Sequence, residues 1–163
     1  MQQLTQKLSN GEMIIQDVPQ PTLNKGMILV KNHYSLISAG TEGSTVKAAR
    51  MNLIGKAKER PQQVKQVIDT LKKQGPIQTY HAVMKKLDSY SPLGYSCAGE
   101  VLEVGEGVTE FKAGDKVACA GVGYANHAEI VSVPINLCVK LKDDANLRDA
   151  AYNTLGAIAM QGF

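Results

Sequence analysis

The chain has 163 residues, 44% hydrophobic and 20% charged, with a formal net charge of +3. This length suits about one domain, large enough to fold around its own core without metal or disulfide cross-links. No apolar stretch approaches the roughly 20 residues of a membrane-spanning helix, and the first residues lack the apolar core of a signal peptide, so we expect a cytoplasmic protein with no membrane partner.

The first part of the chain is predicted to be β. Apolar residues 13–15 precede two prolines, and a second apolar run spans residues 27–31 after an Asn-Lys-Gly turn. Short apolar runs bounded by turn residues are typical of buried strands. Residues 33–38 are expected to continue the second strand.

The middle of the chain changes to helical periodicity. Apolar residues spaced i, i+3, i+4, i+7 predict a helix that begins at Pro61 and ends before a Gly-Pro pair: Val64, Val67, Ile68 and Leu71. The spacing recurs from Tyr80 to Leu87, with Thr79 as the expected N-cap, and residues 44–51 predict a further helix. We interpret residues 44–90 as a helical insertion between two β regions.

This insertion is basic. Between Lys47 and Lys73 eight Lys or Arg oppose two acidic residues, a local charge of +6. Such a patch can hold phosphates or nucleic acid, and a solvated helix face is the alternative. No aromatic residue lies in this stretch to stack on bases, so we expect no nucleic-acid partner.

After residue 94 the chain returns to short strands. They are predicted at residues 100–104, 116–120, 128–133 and 137–141, a spacing typical of a barrel or sandwich. Residues 146–160 are predicted to form a helix. The three cysteines form no C-x-x-C pair, so we expect reduced thiols. Neither a basic neighbour nor a helix N-terminus is evident in the sequence flanking Cys97 and Cys119, so we expect both to be buried and unreactive.

Residues 94–141 carry a recognisable pattern. They read GYSCAGEVLEVGEGVTEFKAGDKVACAG and then YANHAEIVSVPINLCVKL. This resembles the GroES-like catalytic domain of the medium-chain dehydrogenase/reductase superfamily, commonly GHE-x-x-G-x-V-x-x-V-G-x-x-V-x-x-F-x-x-G-D-x-V; the specific matches are Gly105, Gly107, Phe111, Gly114 and Asp115. Upstream, VPQPTLNKGMILVKNHYSLISAGTE resembles the same domain's first strands and its CGTD-type turn.

The resemblance implies a mainly β, α+β fold. A partly open GroES-like β-barrel would span residues 1–145 with the helical insertion at about 44–90, and residues 146–163 would begin the helix that connects to a Rossmann domain. The Gly105-Glu106-Gly107 stretch continues to Glu110 where a third glycine would be needed, so we interpret it as a turn. We therefore expect the Rossmann domain to be absent, NAD or NADP to bind through that missing domain, and the cofactor-binding residues to be unknown.

The resemblance also bears on zinc. The insertion, LIGKAKERPQQVKQVIDTLKKQG, resembles that of zinc-less bi-domain oxidoreductases. In zinc-dependent relatives the cysteine of the CGTD-type turn and the histidine and glutamate of GHE are associated with the metal, and these positions hold Ala39, Tyr95 and Ser96 here. Methyl, phenol and hydroxyl groups do not form a zinc site. The structural zinc lobe is also missing after Val117, so we expect no metal.

Four residues are candidates for acid–base work, because a hydride transfer without zinc still needs a group to move the hydroxyl proton. They are Thr41, Glu42, Tyr95 and His127. The resemblance matches Thr41 to the start of a proton relay in some relatives; a phenol beside a cation and an imidazole are also suitable. Each has a structural alternative: Tyr95 as a strand aromatic with a satisfied hydroxyl, Glu42 as a helix cap near Ser44 or a partner of Arg50, and His127 as a strand histidine.

The resemblance implies the substrate-side domain of a zinc-independent NAD(P)-dependent alcohol dehydrogenase-like oxidoreductase, inactive by itself. Its substrate would be a small alcohol or carbonyl compound, sugar-derived if the branch resemblance holds, with an anionic group held by Lys47, Arg50 and Lys56. The alternative is a non-enzymatic GroES-like module that binds a ligand or partner.

The end of the chain carries a further expectation. Leu155, Ile158 and Met160 are expected on a surface meant for the missing domain, where they would promote self-association.

Overall fold

A computed structural model describes residues 1–52, 55, 57–58 and 61–162. Lys56, one of the three candidates for holding an anionic group, lies outside these residues. Within the described part there are eight strands, five α-helices and one 3₁₀ turn. None of the helices within these ranges is long and apolar enough to cross a membrane.

The strands form two sheets. A three-stranded sheet has the order β2-β1-β4 and consists of β1 (Gln2–Lys7), β2 (Met13–Asp17) and β4 (Tyr90–Pro92). A five-stranded sheet has the order β7-β3-β5-β6-β8 and consists of β3 (Met27–Ser35), β5 (Ser96–Val104), β6 (Lys116–Ala120), β7 (Ile130–Pro134) and β8 (Cys138–Lys140). All neighbouring strands of the larger sheet are antiparallel.

The chain divides into two compact units. The barrel unit contains Met1–Leu4, Ile15–Ile37 and the chain from Pro92 onwards, and the helical unit contains Thr5–Ile14 and Ser38–Ser91. Each is described by itself below.

The core of the barrel unit lies on one face of the five-stranded sheet. Ile28 and Val30 of β3 are fully buried with Val101 of β5, and Val30 pairs with Val101 across the two strands. Each such side chain stabilises the fold by roughly 1.5–3 kcal/mol relative to an exposed one. Phe111 joins the same cluster from the β5–β6 connection.

The helical unit contains α1 (Thr41–Arg50), α2 (Pro61–Gln74) and α3 (Pro76–Asp88). The predicted limits of α2 are confirmed, and Gly75, with φ of 81°, separates it from α3. The prediction that Thr79 caps the third helix is wrong: α3 begins at Pro76, whose fixed φ suits a first helical turn. Thr79 is instead buried inside α3 and donates its hydroxyl to the carbonyl of Gly75 at 2.8 Å.

The end of the chain forms two short helices, α4 (Leu147–Ala150) and α5 (Asn153–Met160). The single helix predicted for residues 146–160 is therefore interrupted. The cause is the Asn153 side-chain amide, which donates to the carbonyl oxygens of Cys97, Cys119 and Ala150 at 3.1–3.2 Å and so fixes the break against β5 and β6. The mainly β, α+β class with a helical insertion, predicted from the sequence, is confirmed.

Candidate functional site

The best-defined polar pair of the barrel unit is Ser35 and His127. Nδ1 of His127 lies 2.8 Å from the hydroxyl oxygen of Ser35 at the end of β3. The β3–β5 register shifts between Asn32 and Tyr34, just before Ser35, and irregularities of this kind, such as β-bulges, re-aim side chains next to functional sites. Ser35 was not predicted, because 92 positions separate it from His127 and no sequence signal links them.

The backbone holds His127 from both sides. Its N–H donates to the Leu93 carbonyl, and its own carbonyl accepts from the Leu4 N–H, both at 2.8 Å. Gly94 makes this approach feasible, since its φ is 102° and an added Cβ would lie 2.6 Å from the His127 nitrogen. The imidazole is therefore attached to a firmly paired segment.

The pair borders an open depression of about 300 Å³. Its polar lining includes Asn32, His33, Tyr34 and Glu129. The Asn32 amide nitrogen donates to the carbonyls of Asn126 and Ala128, whereas its buried carbonyl oxygen has no hydrogen-bond partner among the described residues. The depression is thus bordered by an imidazole–hydroxyl pair that is able to move a proton.

Tyr95 lies in the same unit, directly before β5. Its side chain is 9% exposed, and its phenol forms no hydrogen bond within the described part of the chain. The structural alternative, a strand aromatic whose hydroxyl is hydrogen-bonded, therefore lacks a hydrogen-bond partner among the described residues. A catalytic role for Tyr95 stays a prediction.

Ser96 occupies the position that carries glutamate in the GHE motif. It is fully buried, and its hydroxyl donates to the Ala151 carbonyl at 2.7 Å and accepts from the Thr154 N–H at 3.4 Å. The hydroxyl is thus engaged in joining β5 to the segment between α4 and α5.

Thr41 and Glu42 belong to the helical unit, at the start of α1. The Glu42 carboxylate is 8% exposed and accepts the Ser38 N–H at 2.8 Å. The structural alternative inferred from the sequence for Glu42 is a helix cap near Ser44. The carboxylate does accept a backbone N–H at the start of α1, but that N–H belongs to Ser38. Thr41 is exposed, and its carbonyl accepts the hydroxyls of Ser44 and Thr45. Catalytic roles for both stay predictions.

The three cysteines lie side by side on β5, β6 and β8, where Cys97 pairs with Cys119 and Cys119 pairs with Cys138. All three are free thiols, and Cys97 and Cys119 are fully buried, as predicted. The Cys119–Cys138 hydrogen bond, with sulfurs 3.7 Å apart, and burial raise the pKa of the Cys138 thiol. The same hydrogen bond acts to lower the pKa of Cys119. The hydrogen bond between Cys119 and Cys97, together with burial, outweighs this effect, so the pKa of Cys119 is raised as well. Thiolate formation is disfavoured at both residues.

Neither a metal centre nor a dinucleotide loop is evident in the described residues. Within the described ranges no group of three or more His, Cys, Asp or Glu is arranged to hold a metal ion. Gly105 and Gly107 lie in the connection between β5 and β6, where Gly107 has φ of 82° and the Gly105 N–H donates to Met27. This is a turn between two antiparallel strands, not a strand–turn–helix phosphate site.

Comparison with known families matches residues 68–143 to the alcohol dehydrogenase GroES-like domain, which confirms the resemblance inferred from residues 94–141. A search of curated proteins found no significant match.

Solved structures share the fold. The quinone oxidoreductase from Coxiella burnetii is 22% identical with a TM-score of 0.65, over 99% of this chain and 43% of that one. The Escherichia coli quinone oxidoreductase complexed with NADPH is 17% identical with a TM-score of 0.62, over 98% and 39%. A Rhizobium etli CFN 42 protein whose name proposes zinc-dependent alcohol dehydrogenase activity is 19% identical with a TM-score of 0.63, over 100% and 39%. The chain spans about two fifths of the length of these relatives.

Proposed function

We propose that this chain, whose residues 68–143 belong to the alcohol dehydrogenase GroES-like domain family, is the substrate-side domain of an NAD(P)-dependent oxidoreductase that works without zinc. The family match carries this proposal. The fold shared with quinone oxidoreductases, one of them bound to NADPH, supports it. These relatives are more than twice as long as this chain, and a further domain would hold the nicotinamide.

Zinc independence is supported by the chemistry of the vacated positions. Ala39 and Tyr95 carry no preferred zinc ligand, and the Ser96 hydroxyl is already hydrogen-bonded to Ala151 in the protein interior. A metal ligand at any of these positions would need a different side chain, and at Ser96 it would also cost the hydrogen bond to Ala151.

The substrate would be a small carbonyl compound, quinone or alcohol, including sugar-derived ones. A bound nicotinamide supplies or accepts the hydride. The residues of this chain would handle the proton: the imidazole of His127 exchanges it with the Ser35 hydroxyl, and the Ser35 hydroxyl exchanges it with a substrate oxygen in the depression. The free thiols with raised pKa values suit a reducing compartment such as the cytoplasm.

The test uses the protein encoded by the complete reading frame. We expect oxidation of NADPH or NADH, followed by nicotinamide absorbance, with at least one quinone or aldehyde of a panel. Ser35→Ala and His127→Gln should each lower kcat by roughly 10²-fold, the lower range for positioned acid–base groups, and flatten its pH profile. Ser132→Ala removes an exposed hydroxyl from β7 of the same sheet and serves as the matched control.

The non-enzymatic binding module remains the second candidate. One observation favours it: the hydroxyl of Ser96, at the position of a metal-associated glutamate in relatives, and the carboxylate of the candidate Glu42 both form hydrogen bonds with the backbone. A full-length protein that binds no nicotinamide nucleotide in calorimetry and oxidises none with any substrate would establish this candidate in place of the oxidoreductase.

We include the domain limits in the same proposal: residues 1–145 form the substrate-side domain, and residues 146–163 begin the helical connection to a further domain.

The last helix exposes apolar side chains, since Ile158 and Met160 of α5 are 62% and 79% exposed. Apolar groups left in water favour burial against another surface, so the chain alone should self-associate. Sedimentation velocity over a concentration series measures this, and a strictly monomeric profile would count against it.

A further inference from the structure

The helical unit contains a cavity of about 400 Å³ that the proposed function does not use. Its walls come from α1, α2 and α3, together with Leu8 and Ser91. All of the lining residues belong to the helical unit, whereas Ser35 and His127 belong to the barrel unit.

The cavity walls are mainly apolar, because the hydroxyl protons of their threonines are already hydrogen-bonded to the backbone. Seven of the thirteen described residues that line it are aliphatic, and three others are threonines. The hydroxyls of Thr45, Thr70 and Thr79 each donate to the carbonyl four residues earlier, within the helix or, for Thr79, at its N-cap Gly75, at 2.8–3.0 Å. These hydroxyl protons are therefore already used, as is typical of threonine inside helices. The cavity offers a ligand mainly aliphatic surface.

Among the described residues, Lys86 in the last turn of α3 is the one charged side chain that lines the cavity. No carboxylate of these residues lines the cavity or forms an ion pair with Lys86. Residues 38–91 contain ten Lys or Arg and four Asp or Glu, a net charge of +6. An anionic group beside Lys86 would be attracted by its ammonium and by this surrounding charge, and a cationic group would be repelled.

The size of the cavity limits the ligand. Its 400 Å³ corresponds to roughly thirteen water-sized volumes at about 30 Å³ each, which suits a molecule of about a dozen heavy atoms. We infer that this cavity binds a linear aliphatic chain with one anionic head group, with the head group at Lys86 and the chain along α1, α2 and α3.

The probe is dodecanoate, titrated calorimetrically into the protein below its micelle concentration and without nicotinamide. We expect saturable binding of one molecule per chain. Decanoate should bind roughly fifteenfold more weakly, since each buried methylene changes affinity by about fourfold. Dodecyltrimethylammonium, which has the same tail and a cationic head, should bind more weakly than dodecanoate by at least about fivefold.

Variants of α3 separate the contribution of the head-group contact at Lys86 from that of the apolar walls. Lys86→Met should weaken dodecanoate binding by about fivefold, the size of an exposed ion pair, and leave binding of neutral dodecanol unchanged. Lys85→Met removes the neighbouring charge, which does not line the cavity, and should change neither. Ala82→Phe fills the cavity and should weaken both ligands more than tenfold. Ala48→Leu on α1 is the second filling variant if Ala82→Phe does not fold by circular dichroism.

Three outcomes would overturn the inference. They are dodecanoate binding that does not saturate below the micelle concentration, binding of the cationic amphiphile as tightly as the anionic one, and unchanged dodecanoate affinity in the filling variants. Dodecanol binding as tight as dodecanoate would assign the cavity to neutral ligands and so reject the anionic class. None of these results depends on nicotinamide chemistry, so the oxidoreductase proposal stands or fails separately.

Discussion

Ser96→Ala tests the hydrogen bond that joins the terminal helices to the five-stranded sheet. The substitution removes one oxygen from a fully buried site, and the Ala151 carbonyl loses the donor that lies 2.7 Å away. Leaving a buried acceptor unpaired costs about 1–3 kcal/mol of unfolding free energy. The weaker 3.4 Å contact from the Thr154 N–H adds little, because that distance is near the limit for a hydrogen bond.

For a chain of 163 residues, each kcal/mol lowers Tm by about 2–4 °C, so Ser96→Ala should melt roughly 2–12 °C below the parent. Urea unfolding gives the free energy directly, and the denaturant slope should not change. Hydrogen exchange should accelerate at the amides of α4 and α5, because the hydroxyl no longer holds that segment to β5.

Ser132→Ala is the matched control, since its hydroxyl donates to the Thr22 carbonyl in an exposed position. It should cost less than about 0.5 kcal/mol. Equal stability of the two variants, with unchanged exchange in α4 and α5, would refute the assignment of Ser96 as the attachment point of the terminal segment.

Three further predictions follow from buried or strained positions. Gln6 is 1% exposed and neither amide atom has a hydrogen-bond partner among the described residues, so Gln6→Met should raise the unfolding free energy by about 1–2 kcal/mol in urea titrations; a loss of stability would show that the amide is satisfied. Gly94→Ala should destabilise by at least about 2 kcal/mol, because its φ is 102° and the new Cβ would lie 2.6 Å from the His127 nitrogen; an unchanged melting temperature would contradict this. The hydrogen bond from Lys140, together with one from the Lys112 N–H, holds the pKa of Asp115 below its ordinary value despite burial. The Asp115 carboxylate thus stabilises the fold above the unfolded-state pKa of about 4, and this contribution is lost as pH falls through the lower folded-state pKa. The stability difference between the parent and Asp115→Asn should therefore be largest above about pH 5 and shrink towards pH 2; a pH-independent difference in urea titrations would exclude this role.

Local periodicity predicted much of the fold. The apolar run of β3 and the i, i+3, i+4, i+7 spacing of α2 are properties of short segments, and both elements lie where the sequence placed them. Strand β1 was not predicted, because its sequence QQLTQK has no apolar alternation and its buried residues, Thr5 and Gln6, are polar.

Features that depend on distant partners were not visible in the sequence. The break between α4 and α5 is fixed by Asn153 contacts to β5 and β6. The Ser35–His127 hydrogen bond joins the end of one strand to a connection far along the chain. The family pattern indicated which positions to examine, such as Tyr95 and Ser96. It did not indicate that Ser96 is hydrogen-bonded to Ala151.

The central strand pairing of the sheet has a consequence for how fast the protein folds. Ser35 of β3 pairs with Cys97 of β5, so the first contact between these strands closes a loop that contains the whole insertion. Loop-closure entropy rises with the logarithm of the number of free residues, and pairings of large sequence separation slow the rate. Helices α1, α2 and α3, if they form first, shorten the free loop. Substitutions that weaken these helices should therefore slow formation of the β3–β5 pair, although none of their residues belongs to either strand.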